Sequence, residues 1–295
     1  MDFKQALKER ANYIEDLLKK YMPKEEGYQK TIMEAMNYSL EAGGKRLRPI
    51  LTLEACKVVG GNEEDVIAFA VAIEMIHTYS LIHDDLPALD NDDLRRGRPT
   101  NHKVYGESMA ILAGDALLNY AFEVMLSNSI NKEDSNKYLC AINEIAKSSG
   151  IYGMIGGQVV DVQSENVQIS KDKLDFIHLN KTAAIIIGCM RAGAIIGGAN
   201  DEQLEEITKY AKNIGLSFQI VDDILDIVGD EAKLGKKVGS DIENHKSTYP
   251  SLLGLDKSKE IARSLIDEAK LSISKLSEET ELLDGLADYI IAREY

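Results

Sequence analysis

The stretch Ser80-Leu-Ile-His-Asp-Asp-Leu-Pro-Ala-Leu-Asp-Asn-Asp-Asp-Leu-Arg-Arg-Gly-Arg-Pro-Thr100 sets Asp84, Asp85 and Asp90 at the end of an apolar run, with Arg95 and Arg96 following within ten residues. Carboxylates gathered on a mainly buried element repel one another and lose hydration, so they call for a cation. Oxygen donors without clustered His or Cys select a hard ion, and magnesium usually arrives with phosphate oxygens completing its octahedron. The arginines that follow are the bidentate partners a phosphate group takes. Acid then base on one short segment points to a metal-bridged diphosphate. An acidic run by itself is more often a solvated loop, and this segment alone is moderately specific.

A second constellation changes that balance. Gln219-Ile-Val-Asp222-Asp223-Ile-Leu-Asp226 lies in the middle of an apolar segment. At 3.6 residues per turn, Gln219, Asp222, Asp223 and Asp226 form one polar stripe on an otherwise apolar rod. A surface helix would carry more polar neighbours, and three carboxylates on one buried face have little purely structural use. Two such motifs in one chain predict a metal cluster gripped from both sides.

The third constellation is basic. In Gly43-Gly44-Lys45-Arg46-Leu47-Arg48-Pro49, glycines precede three cations, and Pro49 is placed to open the next helix. Lys45 and Arg48, three apart, could close on one phosphate, although a solvated basic turn has the same composition. The GxxxxGK[ST] spacing of a Walker-type loop is absent. His77 lies seven residues before Asp84, about 10 Å along the same helix face. It is either a core histidine with a satisfied hydrogen bond or a contact to a second anion beside the first. The adjacent His83 and Asp84 also resemble the His-Asp pair of metal phosphohydrolases, but those sites need several histidine ligands, and His102, His178 and His245 are scattered.

The elements that position these residues read as helices. Asp65 to Leu86 carries Val66, Phe69, Ala70, Ile73, Ile76 and Ser80 at three-four spacing; Leu204 to Val228 repeats the pattern with Ile207, Ala211, Ile214, Phe218 and Val221. Val-Thr-Ile alternation is nearly absent. Breaks are expected at Gly43-Gly44, Gly60-Gly61-Asn62, Asp90 to Thr100, Asn128 to Glu133, Ser164 to Ser170, Gly197 to Asp201, Gly229 to His245 and Leu255-Asp256, leaving roughly ten or more helices. No linker separates the halves, so if the two acidic motifs share a site, 1–295 is a single domain. The chain has 295 residues, 44% apolar and 28% charged, and a formal charge of -15, which argues against nucleic acid as a partner. An anionic substrate must therefore meet a local cationic cluster or a metal. Cys56, Cys140 and Cys189 are odd in number and widely spaced, so neither a disulfide framework nor a zinc site is expected, and a reducing cytoplasm is the simplest setting. The N-terminal MDFKQALKERANYIEDLL mixes both charge signs and does not read as a signal peptide. Ala183 to Ala199, with Arg191 at its centre, reads as a buried helix rather than a transmembrane segment.

With these residues in hand, the sequence resembles the trans-isoprenyl diphosphate synthases, and within them the bacterial farnesyl diphosphate synthases. The likeness runs from about Tyr28 to the C-terminus. It includes GGKRLRP, the DDxxxxD spacing with its RRG, GQVVD around Gln158, HLNKT with Lys181 and Thr182, QIVDDILD, the LGK of Lys236, and KSTYP with Lys246. The resemblance implies an all-α bundle around a central cavity, the isoprenoid synthase fold of a polyprenyl synthetase domain, and a homodimer. It implies three Mg2+ ions, with Mn2+ as a substitute, held by the aspartates of both motifs, Asp84, Asp85, Asp90, Asp222, Asp223 and Asp226, on an allylic diphosphate. Arg95, Lys181 and Lys236 would contact that diphosphate, and Thr182, Gln219 and Lys246 would be further substrate-binding residues. Isopentenyl diphosphate would lie against Lys45, Arg48, His77 and Arg96. Among these residues Asp84, Asp85, Asp90, Arg95, Lys181 and Asp222 would carry the catalysis.

Product length in such enzymes depends on bulk just before the first motif, where Tyr79 and Ser80 stand at the fifth and fourth positions upstream of Asp84. The resemblance ties an aromatic fifth residue to a fifteen-carbon product. Ser80 shares the Asp84 stripe, whereas Tyr79 is about 140° around an ideal helix and reaches the cavity only if the pocket curves. A geranylgeranyl diphosphate synthase is the nearest alternative. A non-catalytic partner subunit is disfavoured by the intact motifs, and a terpene cyclase needs no second diphosphate site of the kind Lys45, Arg48 and His77 offer.

Overall fold

The computed structural model describes residues 2–228, 247–276 and 279–292. Helices α1 (Phe3–Tyr21), α2 (Lys30–Leu40), α3 (Leu47–Val58) and α4 (Ile67–Asp84) lead into a short hairpin of β1 (Leu94–Arg95) and β2 (Arg98–Pro99). After it come α5 (Asn101–Tyr105), α6 (Glu107–Ser129), α7 (Ser135–Ser149), α8 (Met154–Val162) and α9 (Lys171–Ile177). A π-helical turn, His178–Ala183, joins α9 to α10 (Ala184–Gly197), and α11 (Asp201–Val228) carries the second acidic motif. The remaining helices are α12 (Tyr249–Leu253), α13 (Leu255–Ile273) and α14 (Glu281–Ala292).

The apolar periodicity of α4 becomes a rod buried on nearly every side, from Ala68 to Ile76 without interruption. Each of Phe69, Ile73, Met75 and Ile76, fully buried, contributes about 1.5–3 kcal/mol through removal from water. α4 packs against α6 and α3, α10 lies between α3, α7 and α11, and α13 runs along α11. One apolar cluster extends from Ile14 of α1 to Ile290 of α14. Among the described residues the expected breaks fall near helix ends, the expected break at Gly229 to His245 lies outside the described residues, and further breaks not expected from the sequence occur between α1 and α2, at Gly106 and at 150–153. Asp65 falls in a preceding 3-10 turn, Glu63–Asp65. The break expected at Leu255-Asp256 comes at Gly254, whose positive φ of 85° ends α12.

The stretch expected to be a buried helix at Ala183 to Ala199 is α10, where Arg191 is neutralised by Glu144 at 2.8 Å. By length and composition alone, Glu107–Ser129 and Lys171–Gly197 are apolar enough to cross a membrane, each at mean hydropathy 1.4. The second is more than half buried within the protein and includes the π turn. None of the three cysteines is in a disulfide.

Candidate active site

The end of α4 brings the first acidic group together. The Asp90 N–H donates to the Asp84 carbonyl at 2.9 Å and the Asn91 N–H to the Leu86 carbonyl at 3.1 Å, folding the loop back on the helix end. Asp84 is largely buried, and that burial, reinforced by Asp90 and Asp85 against the pull of Lys181 and Arg95, pushes its carboxyl up to about 6. Asp85 is raised by burial in the same way, opposed by Arg95, whose Nε donates to it at 2.9 Å. A set of carboxylate oxygens crowded together at a largely buried helix end fits a hard divalent cation. Among the described residues no three acidic, His or Cys side chains close into a ready-made ion cage; such a set needs phosphate oxygens to complete it, as magnesium sites commonly do.

A chain of polar contacts leads from here to α11. Gln158 of α8 donates to Asp84 at 3.1 Å, and Asp161, one turn on, accepts from Lys181 Nζ at 2.6 Å. Burial pulls the Lys181 ammonium down, but Asp161, Asp84 and Asp90 outweigh it and hold the group charged. Gly157 permits the close approach of α8 to the π turn, since a Cβ there would stand 2.1 Å from the Lys181 backbone nitrogen. Lys181 and Thr182 sit in the π turn, whose wider winding re-aims side chains and recurs at functional sites. Thr182 Oγ1 donates to Gln219 Oε1 at 3.0 Å, and Gln219 Nε2 to Asp223 Oδ1 at 3.4 Å. The first motif, Lys181 and the second motif are thereby joined, and beside α11 a cavity of about 190 Å³ is lined by Asp161, Lys181, Thr182, Gln219 and Asp223.

The α11 stripe is divided in its surroundings. Asp223 and Asp226 are buried and Asp222 half-buried. Asp223 has the structural use that the stripe was not expected to have: its Oδ2 accepts the Tyr249 N–H at 3.0 Å, which pins the start of α12. His178 stacks on the Tyr249 ring at 5.5 Å and is held neutral by burial, its protonation pushed down to about 4.

The basic group lies on the other side of α4. Arg46 adopts a left-handed conformation, φ 50°, immediately before α3. Lys45 therefore precedes the helix and does not share a face with Arg48. Its ammonium lies 5.5 Å from the centre of the Tyr289 ring. Arg46, unassigned from sequence, is buried and pairs with Glu74 at 2.7 Å. Arg48 is also deep, with a buried Nε that has no hydrogen-bond partner. Arg96, turned by its own φ of 54°, packs its guanidinium against Gly44, where a Cβ would stand 2.5 Å from its Cζ. Burial and the proximity of Arg48, Arg96, Arg46 and Arg95 drive the His77 imidazole well below its ordinary range. Neutral His77 amid arginines is a place for an anion.

Tyr79 is buried, edge-on to His83 at 5.8 Å, with its hydroxyl unpartnered and pushed up to about 12 by burial. Ser80 is half-buried and donates to its own helix at the His77 carbonyl, 2.9 Å. His83 contacts the Ile111 carbonyl at 3.1 Å, and among the described residues no second histidine joins it, contrary to a phosphohydrolase site. Lys236 and Lys246 lie outside the described residues. Sequence reasoning did not single out Asp161, Glu74, Tyr249 or a role for Gln158. The Gln158-x-x-Asp161 spacing on one helix was the available signal for two of them.

The sequence model of the family described as Polyprenyl synthetase matches residues 29–283. The farnesyl diphosphate synthase of Bacillus subtilis is 47% identical over 289 residues, 98% of this chain and 97% of that protein. The chloroplastic geranylgeranyl pyrophosphate synthase of Capsicum annuum is 51% identical over 265 residues, 89% of this chain and 72% of its own. A crystal structure of an FPP/GFPP synthase from Zymomonas mobilis in its apo form superposes with a TM-score of 0.87 at 37% identity, covering 98% of this chain and 99% of the other.

Proposed function

The chain belongs to the polyprenyl synthetase family and is a trans-prenyltransferase; within that class we propose that it condenses isopentenyl diphosphate with dimethylallyl or geranyl diphosphate and stops at farnesyl diphosphate. The observation that carries the reading is the set of polar contacts tying Asp84 to Gln158, Asp161 to Lys181, and Thr182 through Gln219 to Asp223, with a separate group of buried cations, Arg48 and Arg96, around His77. Two anion sites of different make-up suit two diphosphates with different tasks.

Asp84, Asp85 and Asp90 on one side and Asp222, Asp223 and Asp226 on the other are the proposed holders of three Mg2+ ions, or of Mn2+. Bound there, the ions would neutralise charge building on the departing diphosphate. Lys181 and Arg95 aim fixed positive charge at the same oxygens, stabilising the leaving group where its charge develops. Arg48, Arg96 and neutral His77 hold isopentenyl diphosphate so that its double bond faces the allylic carbon. The allylic carbon–oxygen bond breaks first to leave an allylic cation, the double bond of isopentenyl diphosphate then forms the new carbon–carbon bond to it, and a proton is lost to the released diphosphate. The apolar wall of α4 keeps water from the cation. Thr182, Gln219, Lys236 and Lys246 are assigned to the allylic diphosphate, and Lys45 to the rim of the isopentenyl site.

Tyr79, buried five residues before Asp84, supports the fifteen-carbon limit; geranylgeranyl diphosphate is the second reading, favoured by the name of the Capsicum relative. The whole chain is proposed to act as one polyprenyl synthetase domain in a cytoplasmic homodimer. The dimer accounts for apolar side chains left exposed on α6 and near α8, among them Ile111, Leu112, Ile151, Tyr152 and Val159. Incubation of the purified protein with isopentenyl and geranyl diphosphates and either magnesium or manganese, with a chelated control, tests the proposal by product chromatography. Farnesyl diphosphate is expected. A twenty-carbon product overturns the length assignment, and no condensation with either metal overturns the proposed reaction.

A further inference from the structure

The hairpin that delivers Arg95 and Arg96 has only two residues per strand, Leu94–Arg95 against Arg98–Pro99. Strands that short do not hold themselves in water, and this pair closes through two left-handed residues, Arg96 at φ 54° and Gly97 at φ 76°. The restraint comes from α2. Asn101, buried just beyond the hairpin, donates from Nδ2 to the Ala35 carbonyl and to Ser39 Oγ, each at 2.8 Å. Tyr38 Oη donates to the Pro99 carbonyl at 2.8 Å, and its ring lies under the Arg98 guanidinium at 4.3 Å. Ala35, Tyr38 and Ser39 stand at positions i, i+3 and i+4, so a single face of α2 receives the hairpin. At the opposite end of the strap, Arg95 reaches Asp85 and Arg96 lies on Gly44 beside His77.

We propose that Asn101 and Tyr38 are positioning residues that act through the hairpin, fixing the Arg96 guanidinium and thereby the affinity of the non-allylic diphosphate site. The inference rests on the assignment of Arg96 to isopentenyl diphosphate made above. Small displacements of a positioned group are costly, with about 1 Å able to remove up to about a hundredfold; a strap loosened at one anchor should lose less.

The test is a cycle of steady-state measurements on the full-length protein: wild type, Asn101→Ala, Arg96→Ala and the double variant, with isopentenyl and geranyl diphosphates varied in turn. Asn101→Ala is expected to raise KM for isopentenyl diphosphate about tenfold, with kcat and KM for geranyl diphosphate within about twofold. On the Arg96→Ala background the same change should add less than about twofold, because the group it positions is already gone. Tyr38→Phe, which keeps the ring under Arg98 and loses only the bond to Pro99, should show a smaller effect in the same parameter. If circular dichroism shows Asn101→Ala misfolded, the Tyr38→Phe cycle decides. Full additivity on the Arg96→Ala background, or equal loss for both substrates, overturns the inference while leaving the reaction intact. A wild type that condenses nothing overturns the reaction, and the inference with it.

Discussion

Glu74 is the buried counter-charge of the arginine cluster, and removing its charge tests how that cluster is held. It is 1% exposed, it accepts from Arg46 Nη1 at 2.7 Å, and its charge favours the protonated forms of Arg48 and Arg96. Breaking a buried pair by neutralising one partner leaves the other charge unpaired, at a cost of about 3–5 kcal/mol. Glu74→Gln keeps an acceptor within reach of Arg46, so the lower end, about 3 kcal/mol, is expected. The midpoint in urea should fall with little change in slope, because the surface exposed on unfolding is the same. Replacing the pair together, Arg46→Met with Glu74→Leu, removes both charges and should restore part of the loss, since well-packed apolar substitutes often equal a buried pair. It does not restore all of it, because the Leu40 carbonyl also loses the Arg46 hydrogen bond at 2.6 Å. A loss below about 1 kcal/mol for Glu74→Gln, or a double variant less stable than the single, refutes the counter-charge argument.

Other expectations concern product, pH and the polar path. Tyr79→Ala should lengthen the product by one or more five-carbon units, read by chromatography of dephosphorylated products; unchanged fifteen-carbon output would put the floor elsewhere. For Asp84, burial raises the folded value to about 6 from 3.8, so the native state binds the extra proton between those values. Keeping the group ionised therefore costs the unliganded fold up to about 3 kcal/mol above pH 6 and nothing below about pH 4. Asp84→Asn should melt higher than wild type at pH 7.5, with the gap closing toward pH 4, even as activity is lost; a gap independent of pH would contradict the assignment. Asp161→Asn removes the first charge holding Lys181 and should lower kcat about tenfold or more with an intact far-ultraviolet spectrum. An unaltered kcat would show that Lys181 needs no such partner.

The helices were legible because long apolar repeats at three-four spacing have few other solutions, and α4 and α11 sit where that spacing put them. The hairpin was not, since strands of two residues leave no alternation to detect. Pairing Lys45 with Arg48 rested on three-residue spacing in a basic turn, whereas Arg46 at φ 50° starts α3 between them and Lys45 lies by the Tyr289 ring. Arg46 itself was passed over because burial of a cation is decided by a partner 28 positions away, Glu74. Asp223 illustrates the same limit: its periodicity correctly put it on the buried face of α11, but the backbone N–H of Tyr249 that it accepts lies beyond any local pattern.

One helix carries the spacing of the proposed reaction. Glu74, His77, Tyr79 and Asp84 all belong to α4, whose flanks are packed against α3 and α6. With a rise of 1.5 Å per residue, His77 and Asp84 are about 10 Å apart along a rod that does not bend easily. The two anion sites are therefore separated by covalent geometry rather than by loops, and the loops only add cations to each end: Arg95 to the Asp84 end, Arg96 to the His77 end. Both arginines ride on one hairpin, but Arg95 is also tied to Asp85 at the α4 end, so loosening the α2 anchor frees Arg96 more than Arg95. Tyr79 lies between the two proposed sites in sequence and is buried in the apolar core, so the helix that would space the diphosphates would also limit the room for the growing chain.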